Sequence, residues 1–103
     1  TGSAGFGATP VLHIARGPNA GSYFAIGETR LQAGRHPDSD VFLDDITVSR
    51  RHATFERTAA GVEVRDVGSL NGTYVNRDRI DRRVLVDGDE IQIGRYVIVF
   101  RAA

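Results

Sequence analysis

The chain has 103 residues and a formal net charge of zero, its 13 arginines balanced by 13 aspartates and glutamates. That length suits one domain with a single core, and the charge balance argues against a nonspecific polyanion binder, which needs a basic excess or a basic face. No apolar run approaches the roughly 18 residues needed to span a bilayer and the N-terminus lacks a signal-peptide core, so the expectation is a soluble, cytoplasmic domain engaging neither membrane nor nucleic acid.

Residues 1–10 are expected to be a flexible lead-in: over Thr1 to Thr9 small residues dominate and no period is visible. From Val11 onward the chain is built for strands. Val, Ile, Thr, Phe and Tyr together supply 33 residues, against five Leu and no Met or Lys, a balance that favours strands over helices. Taken in order, strands are expected at residues 11–16, 22–26, 30–34, 41–43, 53–58, 62–66, 73–75, 79–80, 83–85, 90–93 and 96–101. The segments between them carry Gly, Pro, Asn or Asp, among them Gly17-Pro18-Asn19, His36-Pro37-Asp38, Asn76-Arg77-Asp78 and Asp87-Gly88-Asp89, and read as turns and short hairpins.

Alternation supports half-buried strands. Leu12 and Ile14, Val62 and Val64, and Ile91 and Ile93 each bracket a polar residue, and no 3.6-residue stripe runs beyond two turns. The expected fold is all-β: a sandwich of about eleven short, mainly antiparallel strands covering residues 11–101. With no cysteine there is no disulfide and no thiolate metal site, so stability must come from buried apolar area.

Three polar clusters fall in loops, where binding residues concentrate on a rigid β scaffold. They are Gly34-Arg35, Ser49-Arg50-Arg51-His52 and Gly68-Ser69-Leu70-Asn71-Gly72-Thr73. Gathered at one end of a sandwich they would present guanidinium, hydroxyl and amide donors with few acceptors, a set suited to a tetrahedral dianion such as a phosphate ester.

Gly-Arg, then Ser-x-x-His about 14 residues on, then Asn-Gly about 19 further on, set within an eleven-strand pattern, resembles the forkhead-associated (FHA) domain, a reader of phosphothreonine peptides. The stretches 33–40, 48–52 and 67–76 also resemble the small actinobacterial FHA regulators, kinase-controlled proteins that bind and inhibit enzymes of 2-oxoglutarate and glutamate metabolism. The resemblance implies an FHA-like β-sandwich with no cofactor. Its expected partners are phosphothreonine proteins or peptides, Ser/Thr protein kinases and 2-oxoglutarate-metabolising enzymes. It assigns phosphate contacts to Arg35, Ser49 and Arg50, and a hold on the peptide backbone to Asn71. Gly34, His52 and Gly72 become structural supports of the site, and Arg51 is left at the surface. Two positions depart from common family patterns. Leu70 stands where many members carry Thr or Ser, and Thr47 replaces a basic residue that some members use to select an acidic side chain of the peptide.

Other readings of the same residues are weaker. Arg35 could pair with Asp38 or Asp40, Ser49 could cap a turn, and Asn71-Gly72 is itself a strong hairpin dipeptide. Period-2 counting leaves the burial of His52 undecided. Ser49, His52 and Asp66 have the residue types of a hydrolase triad, but no G-x-S-x-G elbow surrounds Ser49, and the expectation is a non-enzyme. The acids at 38, 40, 44 and 45 lack the glycine and closing glutamate of an EF-hand, and His13, His36 and His52 have no zinc-ligand spacing. A phosphate-independent interaction or inhibitor module that docks through the same loops is the alternative function.

Overall fold

The computed structural model describes residues 9–102. Most of the expected lead-in, residues 1–8, lies outside the described residues. Pro10 is buried and its carbonyl accepts the Ile26 amide at 2.8 Å, so the described chain is already packed one residue ahead of the first strand.

Eleven strands follow and no helix is present among the described residues: β1 Val11–Arg16, β2 Tyr23–Ala25, β3 Leu31–Gly34, β4 Val41–Phe42, β5 Ala53–Thr58, β6 Gly61–Asp66, β7 Thr73–Val75, β8 Asp78–Ile80, β9 Arg82–Val84, β10 Glu90–Ile93 and β11 Tyr96–Arg101. They form a six-stranded sheet in the order β2-β1-β11-β10-β7-β8 and a five-stranded sheet in the order β4-β3-β5-β6-β9. Every pairing is antiparallel except β3 with β4. This is the sandwich expected from the alternation.

Boundaries differ by a residue or two where a local bond competes with the ladder. Val75 pairs with Asp78, which leaves Asn76 and Arg77 as a two-residue turn with φ of 49° and 74°. Both central residues are left-handed, as a type I′ hairpin requires, and Asp78 therefore joins β8 instead of the loop. Asn76 is secured there by its side chain, which accepts the Glu90 amide at 3.0 Å and donates to buried Asp89 at 2.9 Å.

The core lies between the sheets. Leu12, Ile14, Ile91, Ile93, Ile98 and Phe100 from one sheet face Ala33, Ala53, Phe55, Val62 and Val64 from the other, all buried. At about 1.5–3 kcal/mol per large apolar side chain removed from water, this layer is the main stabilising contribution in a chain without disulfides. It also fixes which loops meet. Ala33 pairs with Ala53, Ala53 with Asp66, and Thr73 with Ile93. The end of β3, the start of β5, the end of β6, the start of β7 and the β10–β11 turn therefore share one end of the sandwich, and the three polar clusters belong to those termini.

Candidate functional site

Gly34 closes β3. A Cβ built on it would lie 2.1 Å from the Arg50 carbonyl oxygen and 3.2 Å from Arg51 Cα, so only glycine lets the Arg50–Arg51 backbone cross this close. The crossing is held by three backbone bonds: Arg35 donates to the Ser49 carbonyl at 3.0 Å, His36 to that of Arg50 at 3.1 Å, and His52 to that of Ala33 at 3.0 Å.

Arg35 Nε donates to the Val48 carbonyl at 3.1 Å. One edge of the guanidinium is thereby fixed to the scaffold, and among the described residues its terminal nitrogens form no ion pair. Neither of the two acids that could have neutralised it pairs with it. Asp40 accepts the Gln32 amide at 2.8 Å, and Asp38 lies 3.8 Å from His36. Arg50 and Arg51 are both exposed, so burial does not distinguish them.

Ser49 is held from two sides. Its amide donates to His52 Nδ1 at 3.1 Å, and its Oγ accepts the Leu70 amide at 3.0 Å. The hydroxyl proton is left to donate to a ligand. His52 has no exposed surface, and its Nε2 donates to the Gly72 carbonyl at 2.8 Å. With Nδ1 accepting and Nε2 donating, the ring is the neutral Nε2–H tautomer. Burial pushes its pKa below the usual 6.5, outweighing the Gly72 carbonyl and the Asp66 carboxylate, which act to raise it.

Gly72 has φ +90°, a left-handed conformation that glycine adopts without strain. Its amide donates to Ser69 Oγ at 2.9 Å, and the preceding Asn71 donates from Nδ2 to the Thr47 carbonyl at 3.0 Å. That bond ties the 66–73 loop to the 43–52 loop and leaves the remainder of an exposed carboxamide available. The seven residues singled out in the sequence are thus brought to one end of the molecule, connected through Val48, Leu70 and Thr47.

Sequence reasoning missed two organisers of these loops. Asp66 accepts the amides of Gly68 (2.8 Å) and Ser69 (3.0 Å) and the hydroxyls of Ser69 and Thr73, the latter at 2.7 Å. Burial alone would raise its pKa, but these donors outweigh burial and hold it below 3.8. The second organiser is Asp45. It accepts both the hydroxyl and the amide of Thr47 and lies 3.3 Å from Arg95 Nη1, while Thr47 Oγ1 accepts the Arg95 amide at 3.0 Å. The Thr47 donors, reinforced by Arg95, lower the Asp45 pKa. The Asp66-x-Gly68-Ser69 and Asp45-x-Thr47 spacings are Asx-turn signals and were legible as such.

The triad types are wired differently from a hydrolase. The Ser49 hydroxyl meets the Leu70 amide, His52 takes the Ser49 backbone amide, and Asp66 is spent on Ser69 and Thr73. What the end of the sandwich offers instead is fixed cations and oriented donors beside a shallow depression of about 270 Å³ bounded by Thr47, Asn71, Tyr74, Gln92 and Arg95.

Comparison with known proteins agrees with this geometry. The chain is 59% identical over 90 residues to the glycogen accumulation regulator GarA of Mycolicibacterium smegmatis, covering 87% of this chain and 57% of that one. It is 61% identical over 90 residues to the oxoglutarate dehydrogenase inhibitor of Corynebacterium jeikeium, covering 87% and 62%. The chain therefore spans about six-tenths of the length of these curated relatives. Among solved structures, an FHA domain from a structural and functional analysis of phosphothreonine-dependent FHA domain interactions superposes with a TM-score of 0.84 at 29% identity, covering 92% of this chain and 97% of that one. The family model of the FHA domain matches residues 31–94, and the chain belongs to the FHA-domain family.

Proposed function

We propose that this chain is a phosphothreonine-peptide recognition module in Ser/Thr kinase signalling, a cytoplasmic and non-catalytic regulator of an enzyme of 2-oxoglutarate metabolism. In this reading Arg35 and Arg50 supply charge to the phosphate, Ser49 donates its hydroxyl to a phosphate oxygen, and Asn71 holds the peptide backbone. Gly34, His52 and Gly72 keep the loops in place. The observation that carries the reading is the anchoring of Arg35 Nε on the Val48 carbonyl and of Ser49 Oγ on the Leu70 amide. Both side chains are oriented before a ligand arrives, with their remaining donors unspent.

A phosphothreonine brings about −1.5 to −2 charges and three acceptor oxygens. Two or three charge-assisted bonds of about 1.5–3 kcal/mol each supply most of a micromolar affinity, about −8 kcal/mol. The names of the relatives, a regulator of glycogen accumulation and an inhibitor of oxoglutarate dehydrogenase, support a metabolic enzyme as the target.

One observation favours a second reading, in which the same loops dock on a folded enzyme without phosphate. Ile46 and Leu70 are 89% and 85% exposed on the two loops joined by Asn71, and exposed aliphatic side chains beside a polar site suit a protein interface. Capture of partner proteins before and after phosphatase treatment separates the two. Loss of capture after treatment is expected for phosphopeptide recognition, and unchanged capture for phosphate-independent docking.

A further inference from the structure

Arg79 lies on β8 directly across from Tyr74 on β7. Its side chain runs back over the site loop: a Cβ built on Gly72 would sit 2.7 Å from Arg79 Nε and 2.9 Å from Cζ. The guanidinium is thus in van der Waals reach of the backbone one residue from Asn71, and Asn71, Gly72 and Tyr74, its neighbours here, line the depression described above. Arg79 is exposed and, among the described residues, forms no ion pair and no side-chain hydrogen bond. The adjacent acid, Asp78, lies 3.8 Å from Arg83 instead.

The arginine that lines the depression is in a different state. Arg95 already has a carboxylate, Asp45, at 3.3 Å. Thr47 is spent internally on Asp45 and the Arg95 amide. Of these two arginines, Arg79 is the one with its planar fork uncommitted, and that fork matches a carboxylate in bidentate geometry.

We propose that Arg79 is a specificity-determining residue that selects an acidic side chain of the bound peptide, beside the phosphothreonine and apart from the phosphate contacts. The proposal rests on the phosphopeptide reading above. It places the charge selection of the peptide on β8, where the Gly72 backbone supports the guanidinium. The phosphate site and the acid site are then separate and adjacent.

The test is a set of phosphothreonine peptides in which glutamate is placed singly at each flanking position of an otherwise alanine sequence. Each is titrated by fluorescence anisotropy against the parent and against R79Q and R95Q. The parent is expected to prefer one glutamate position by about five- to tenfold, the range of a partly shielded charged pair. R79Q is expected to lose that preference while binding the all-alanine phosphopeptide as the parent does, and R95Q to keep it. Retention of the preference in R79Q, its loss only in R95Q, or equal weakening of every peptide by R79Q would each overturn the proposal. Binding of the all-alanine phosphopeptide with no positional preference overturns it while leaving phosphothreonine recognition intact. Equal binding of the unphosphorylated peptides overturns the recognition reading itself.

Discussion

The imidazole of His52 joins the two halves of the site: its Nε2 lies 2.8 Å from the Gly72 carbonyl, and its Nδ1 takes the Ser49 amide at 3.1 Å. A single buried ring thus spans from the loop that enters β5 to the loop that enters β7 in the opposite sheet. Removing it leaves a buried carbonyl and a partly buried amide without partners. His52→Ala is expected to lower unfolding free energy by about 1–3 kcal/mol and to weaken phosphopeptide binding as well. Chemical denaturation and calorimetry on the same variant check this. Weakened binding at unchanged stability would make His52 a ligand contact instead.

The same ring sets a pH dependence. Because burial holds its folded pKa below 6.5, the unfolded chain takes up a proton near pH 6.5 that the folded chain refuses until lower pH. Stability from this group is full above about pH 6.5 and declines as the pH falls through that value. Melting temperature is expected to fall between pH 7 and 5.5 in the parent, with a shallower fall in His52→Asn. Parallel profiles would assign the dependence to other groups.

Gly34→Ala places a methyl 2.1 Å from the Arg50 carbonyl oxygen. Backbone cannot yield as a flexible side chain does, so β3 and the 49–52 segment must separate, at an expected cost of about 1–3 kcal/mol or more. The bond from the Arg35 amide to Ser49 is then lost, and peptide affinity falls with stability. A variant as stable as the parent would show that the close crossing is dispensable.

Asp66→Ala deprives four donors of their acceptor. A loss of about 2–3 kcal/mol is expected, at roughly 1 kcal/mol per bond less partial rescue by water. Hydrogen exchange should speed up over residues 66–73 before it does in β5, since Asp66 organises one loop and not the whole end. Uniform acceleration across both sheets would contradict that assignment.

Adjacent arginines provide a test of contact against field. Arg50→Ala is expected to weaken binding at least tenfold more than Arg51→Ala, and to do so at high salt as well as low, because a direct contact survives where a field is screened within about 8–10 Å. Equal losses that vanish with salt would indicate a diffuse positive surface.

Much of this architecture was legible in the residues. Alternation in Leu12/Ile14, Val62/Val64 and Ile91/Ile93 marks strands buried on one face, and the Gly, Asn and Asp clusters mark the reversals between them. Less legible was whatever depends on contacts distant in the chain. His52 falls on the polar side of its local alternation, yet it is buried because it precedes β5 and turns inward between two loops. The Asn76–Arg77 turn reads as three residues until the pairing of Val75 with Asp78 is seen. Asp66 looks like a triad member by type, and only its four donors show it to be a loop organiser. Arg79 is one of 13 arginines and carries no local signal. Its place against Gly72 follows from the β7–β8 register.

Calorimetric titration of Arg35→Ala beside the parent, using the best phosphothreonine peptide from an oriented library and its unphosphorylated twin, bears on phosphopeptide recognition without intermediate assumptions. The parent is expected to bind only the phosphorylated form, at about micromolar affinity. Arg35→Ala is expected to lose about 2–5 kcal/mol of binding with its melting temperature nearly unchanged. Equal binding of the two peptides by the parent, or undiminished binding of the phosphopeptide by Arg35→Ala, would contradict a phosphate site built on the Arg35 guanidinium.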